Sequence, residues 1–145
     1  MSNLPLFLLM VCGGFAVALQ PSINARLAQR VGAYESSFIS FAVGTLAMLV
    51  VVFMAGKGSL RGMVDVRWWE LTGGFLGAFF VTLTIIAVPR LGTVAVMAAI
   101  IAGQLTTAAL LDQFGAFGLR HIPFTPLRLL GICLLVAGAA LIVRR

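Results

Sequence analysis

From about Glu35 to Ala55 the chain runs through about 21 residues in which every position after the first is uncharged, and Leu71 to Val88 repeats the pattern. A helix of that length spans roughly 30 Å, the thickness of a bilayer's hydrocarbon core. Lipid offers no hydrogen bonds, so each such run must satisfy its own backbone groups by coiling into a helix. With 61% hydrophobic and 10% charged residues and a mean hydropathy of +1.13, 145 residues hold too little polar surface to cover a water-soluble globule. The expected fold is therefore all-α: a polytopic integral membrane protein with one five-helix transmembrane domain over 1–145. Its spans are expected at 3–31 with a break near 20–24, 35–56, 67–88, 93–114 and 126–144. The first apolar run has no basic stretch before it and no small-residue cleavage site, which predicts that it is retained.

The break at Gln20-Pro21-Ser22-Ile23-Asn24 is the strongest functional signal. Pro21 has no N–H to donate and its ring crowds the carbonyl four residues earlier, at a cost of about 3 kcal/mol inside a helix. Gln20, Ser22 and Asn24 bring amide and hydroxyl groups that can bond freed backbone or a polar guest. At membrane depth, interrupted helices face protein or a water-filled cavity. The competing reading ends the helix at Gln20 and makes the remainder an interfacial loop.

Turns are expected at Gly32-Ala33-Tyr34 and Pro89-Arg90-Leu91-Gly92, the second tight enough to make helices 3 and 4 an antiparallel hairpin. Glycines and charges at 56–66 form a longer loop, and Arg67-Trp68-Trp69-Glu70 is the mixture of charge and indole that settles at headgroup level. Small residues mark helix-packing faces: Gly73 and Gly77 in helix 3, and Ala95, Ala99, Ala102 and Gly103 in helix 4. Gln104 lies in the middle of helix 4, where an unpaired amide is costly, so it requires either a helix-to-helix hydrogen bond or a substrate.

The acids have two readings each. Glu35 sits in the first turn of helix 2, favoured by the helix dipole and within reach of Arg26 or Arg30, or else serves ion coupling. Asp112 is expected to pair locally with Arg120, His121 or Arg128, or else to titrate in a relay. The single histidine and two distant cysteines match no metal spacing, no cofactor motif is present, and no nucleophile comes with a base, so neither metal site nor enzyme is expected. The net charge of +6 is scattered over helix ends and not gathered in a stripe, which points to membrane flanks and away from nucleic acid.

Six blocks carry a resemblance that spans nearly the whole chain. They are Gln20-Pro21-Ser22-Ile23-Asn24-Ala25, Phe41 to Gly44, Pro89-Arg90-Leu91-Gly92, Ala102-Gly103-Gln104-Leu105, Leu111-Asp112 with Phe114-Gly115, and Thr125-Pro126-Leu127-Arg128-Leu129-Leu130-Gly131. In these the chain resembles the YdcZ-like family of bacterial inner-membrane proteins within the drug/metabolite transporter superfamily. The resemblance implies a multi-pass five-helix half-transporter in the bacterial inner membrane, with Gln20, Asn24 and Gln104 as its polar pattern. Glu35 departs from that pattern, in which small or apolar residues are commoner. The superfamily's four-helix multidrug exporters use a glutamate deep in helix 1, whereas here no acid lies at membrane centre. A neutral, zwitterionic or anionic solute read by amides fits better than a cation exchanged for protons.

The expected function is small-molecule secondary transport, as an exporter, by alternating access in an antiparallel, dual-topology homodimer; substrate-binding residues would be Gln20, Ser22, Asn24 and Gln104. The alternative is a non-transporting membrane packing or assembly protein with a dry interior. Orientation follows from counting. Five spans place Lys57, Arg61, Arg67, Arg120 and Arg128 on one side and Arg26, Arg30, Arg90, Arg144 and Arg145 on the other, five against five. Lysine and arginine bias in short loops sets insertion, so a zero bias predicts both orientations. C-terminal reporters active on only one face of the membrane are expected to give both signals in the parent. Arg144→Ala with Arg145→Ala, leaving three against five, should skew the ratio toward Lys57 in the cytoplasm, and a parent with a single orientation would rule out dual insertion.

Overall fold

The computed structural model describes residues 3–118 and 120–143; Arg144 and Arg145, which enter the orientation count, lie outside the described residues. The fold is an all-α polytopic bundle with, among the described residues, five membrane-length apolar helices: α1 Leu4–Val31, α2 Ala33–Ala55, α3 Thr72–Leu91, α4 Thr93–Phe114 and α5 Pro126–Val143. Short 3-10 turns at Leu60–Asp65 and Trp68–Leu71 lead into α3, the second extending its span to Trp68–Leu91. The chain divides into two compact units, Met1–Arg90 and Leu91–Arg145.

In the first unit α1 packs on α2. Its buried positions cluster in the halves of the helices nearest their short links: Pro21, Asn24 and Ala25 on α1, Ser36 and Ser37 on α2, and Val81, Thr84 and Ile85 on α3. Apolar side chains elsewhere point outward, Phe53 being 86% exposed and Phe7 64%. That inversion is what a lipid solvent requires. A Cβ at Gly77 of α3 would lie 3.3 Å from Cζ of Phe41 on α2, so this glycine makes room for an aromatic ring; nothing comes within 4 Å of the corresponding point at Gly73.

In the second unit α4 packs on α5, and Val96, Ala98 and Ala109 of α4 are buried. Ala95 and Ala102 are half-buried, whereas Ala99 and Gly103 are exposed. Gly115, in the left-handed region at φ 56°, stops α4. The connection to α5 then folds back on it. Ile122 N–H donates to the Asp112 carbonyl at 2.9 Å, Phe124 N–H donates to Gln113 Oε1 at 2.6 Å, and Arg128 donates to Asp112 Oδ2 at 2.6 Å and to the Ile122 carbonyl at 3.2 Å. Asp112 therefore has Arg128 as its ion partner. Thr125 Oγ1 accepts the N–H of Arg128 at 3.2 Å and starts α5.

Two expected interruptions are absent. Pro21 lies inside a continuous α1, so the break near 20–24 does not occur and the helix does not end at Gln20. The ring is itself buried, and the turn after it is tied to α2, as described below, which offsets the single lost backbone bond. Pro89 likewise sits inside α3, which runs on to Leu91. The links are correspondingly shorter than expected: Gly32 alone separates α1 from α2, and Gly92 alone separates α3 from α4.

Both glycines take a backbone conformation that side chains exclude, Gly32 at φ 102°, ψ 157° and Gly92 at φ 83°, ψ 152°. At Gly32 a Cβ would also collide with the Glu35 carboxylate. Gly32→Ala is expected to lower unfolding stability in detergent by about 1–3 kcal/mol. Gly13→Ala, inside α1 with nothing within 4 Å of the new methyl, should be neutral or stabilising by up to about 1 kcal/mol. Equal thermal midpoints for parent and Gly32→Ala would contradict this link geometry.

Candidate functional site

The polar stretch of α1 meets α2 through hydrogen bonds that run in both directions along the seam. Asn24 Nδ2 donates to Ser40 Oγ at 3.1 Å, and Ser36 Oγ donates to the Asn24 backbone carbonyl at 2.8 Å. Ser36 is completely buried and Asn24 is 6% exposed, so the Ser36 bond forms away from solvent and lipid, while the bond to the half-buried Ser40 is part-buried. A third contact extends the seam: Ser37 Oγ and Thr82 Oγ1 of α3 lie 2.8 Å apart, and Thr82 Oγ1 also donates to the Ala78 carbonyl at 2.8 Å. Three helices of the first unit are thus joined by small hydroxyl side chains and one amide.

Next to the seam a cleft of about 470 Å³ opens along one face of α2. Ser40, Phe41, Gly44 and Thr45 line its first part, and Met48, Leu49 and Val52 its second. These positions recur every three or four residues, which keeps them on one stripe of the helix over roughly 18 Å. Gln20 is the contribution of α1, and Leu60, from the 3-10 turn after α2, borders the far end. Among the described residues no charged side chain lines the cleft.

The residues expected at the site are distributed unevenly around this geometry. Gln20 lines the cleft. Asn24 does not border it, but bonds Ser40, which does. Ser22 is half-buried on α1 and lies outside the lining. Gln104 belongs to the second unit, where it is exposed on α4 and makes no hydrogen bond among the described residues. Glu35 requires a correction: the expected pairing with Arg26 or Arg30 is not formed among the described residues, and Arg26 Nη1 donates to Gln29 Oε1 at 2.8 Å. The reason lies in the one-residue link, which turns the Glu35 carboxylate back over Gly32.

Ser36, Ser37, Ser40, Thr45 and Thr82 were not anticipated. The signal was present, since Ser36, Ser40 and Gly44 repeat at intervals of four, the same small-residue spacing recognised in helices 3 and 4. Asn24 and Gln20 should separate experimentally. Asn24→Ala removes the amide from a buried seam and is expected to cost about 1 kcal/mol of stability in detergent or bilayer unfolding. Gln20→Ala should leave stability within about 0.5 kcal/mol of the parent. Equal losses for the two variants would contradict this division of labour.

Comparison with known proteins agrees with this architecture. The family described as "Putative inner membrane exporter, YdcZ" matches residues 5–141. The chain is 31% identical to the Inner membrane protein YdcZ of Escherichia coli (strain K12) over 146 aligned positions, covering 94% of this chain and 93% of that one. No solved structure matches. With five apolar spans and a match over nearly its whole length, this multi-pass inner-membrane chain belongs to the YdcZ inner-membrane exporter family.

Proposed function

We propose that the protein is a secondary transporter exporting a small molecule by alternating access, working as an antiparallel, dual-topology homodimer. The observation that carries this reading is the open cleft on α2 with an amide at its edge: Gln20 lines a space of about 470 Å³ within membrane-spanning helices. That volume lies in the range of about 300–1,000 Å³ typical of small-molecule sites. Membership of an exporter family supports a transported solute as the occupant. A packing protein needs no such space.

The homodimer rests on two further supports. Gln104 stands exposed in the middle of an apolar span with no hydrogen bond among the described residues, and an amide in hydrocarbon costs several kcal/mol unless a partner or a wet cavity meets it. A second copy can provide either. The five-against-five count of basic residues supplies copies in both orientations, and two oppositely oriented five-helix halves make the inverted pair on which rocking mechanisms are built. In this reading Gln20 and Gln104 bind the solute, Asn24 holds Ser40 at the edge of the cleft, and Asp112, held by Arg128, is a fastener.

Purified protein in liposomes should show saturable solute flux. Gln20→Ala and Gln104→Ala are each expected to reduce it at least tenfold while the dimer elutes unchanged on size exclusion. Full flux in both variants would overturn the assignment of these amides to the pathway.

A further inference from the structure

The cleft is polar in one half and apolar in the other, and the order of the halves is reversed relative to the bilayer around it. Gly44 is the midpoint of α2, eleven residues from Ala33 and eleven from Ala55. The polar lining groups flank that midpoint: Ser40 and Thr45 lie within four residues of it along α2, and Gln20 reaches in from α1. From there toward the 56–71 connection the lining turns apolar, through Met48 and Val52 to Leu60. A membrane lipid has the opposite order, with its headgroup at the surface and its hydrocarbon at the centre. An acyl chain in this cleft would lay methylenes against the Gln20 amide and the Thr45 hydroxyl at mid-depth and give neither a partner, while Ser40 would keep only its bond from Asn24.

We propose that this cleft binds a neutral amphipathic solute, its hydrogen-bonding end held by Gln20, Ser40 and Thr45 at the bilayer midplane and its apolar body directed toward Leu60. The inference rests on the transporter reading and narrows its substrate to one chemical class. Charge decides against the alternatives. An ammonium or a carboxylate in the cleft would meet no opposite charge among the described lining residues, and an ion taken from water without a partner pays a far larger desolvation cost than a hydroxyl or an amide. The polar trio suits a neutral group instead, because an amide and two hydroxyls can both donate and accept. Phe41 closes the side toward α3, its ring set against Gly77.

The test uses full-length protein in lipid nanodiscs and three tritiated probes built on one benzamide scaffold, ending in a hydroxyl, a trimethylammonium or a carboxylate. Binding is read by scintillation proximity after subtracting empty nanodiscs. The hydroxyl probe should bind saturably, at least tenfold more tightly than either charged probe. Gln20→Leu and Thr45→Val should each weaken it several-fold. Gly44→Leu should abolish binding without harming the fold: Gly44 lines the cleft, and a Cβ there meets nothing within 4 Å, so leucine fills the space. An unchanged thermal midpoint and elution volume verify that variant. Equal binding of a charged probe, undiminished binding in Gly44→Leu, or counts that scale with lipid and never saturate would overturn the inference, the last assigning the cleft to annular lipid. Flux in vesicles separates it from the reading beneath it. Saturable binding of the hydroxyl probe without flux leaves this inference standing and removes the transporter reading. Flux of a charged solute with none of the probes bound does the reverse.

Discussion

A polar group held inside a membrane must find its partner within protein, and the first unit meets that demand through Asn24. Its backbone carbonyl accepts from Ser36 while its side chain donates to Ser40, so a single residue of α1 reaches positions four apart on α2. Those contacts fix how far along each other the two helices lie. Ser40 in turn stands at the edge of the cleft, and Gln20, one turn before Asn24, borders it without a hydrogen bond among the described residues. The bonds that hold the helices together and the polar groups that line the cleft are therefore neighbours on the same faces.

Packing between helices in lipid gains little from hiding apolar surface, since hydrocarbon surrounds the bundle in any case. The buried positions reflect this. On α1 and α2 they are a proline, an asparagine, an alanine and two serines, and none of the large side chains that fill a water-soluble core. The large ones, from Phe7 to Phe53, face outward. Close approach and hydroxyl bonds hold α2 to its neighbours, with Phe41 over Gly77 as the aromatic exception.

The five spans were legible because long uncharged runs admit one solution in lipid, and the bounds of α4 coincide with the expected ones. Pro21 and Pro89 misled because the rule applied to them is local. It prices a lost backbone bond but cannot see that Pro21 is buried and that the following turn is tied to α2. Glu35 misled in a similar way: charge proximity in sequence favoured an arginine, whereas the single-residue link directs its side chain over Gly32. Of the site, Gln20 could be read from its place in an apolar run, and Ser40 from its four-residue spacing with Ser36 and Gly44. Thr45 could not, because a hydroxyl in a transmembrane helix satisfies itself on its own backbone as easily as it faces a cavity, and Thr106, bonded to the Ala102 carbonyl, does the former.

The link at Gly32 also has a mechanical side. One residue leaves no slack between α1 and α2, so neither can slide past the other by a helical turn of about 5.4 Å without unwinding an end. With the Asn24 bonds placed only a few residues from that link, the pair behaves as one stiff lever. The chain between α2 and α3, residues 56–71, is by contrast long, exposed and built of brief 3-10 turns. No single-residue link of the Gly32 kind restrains the cleft at the end bordered by Leu60.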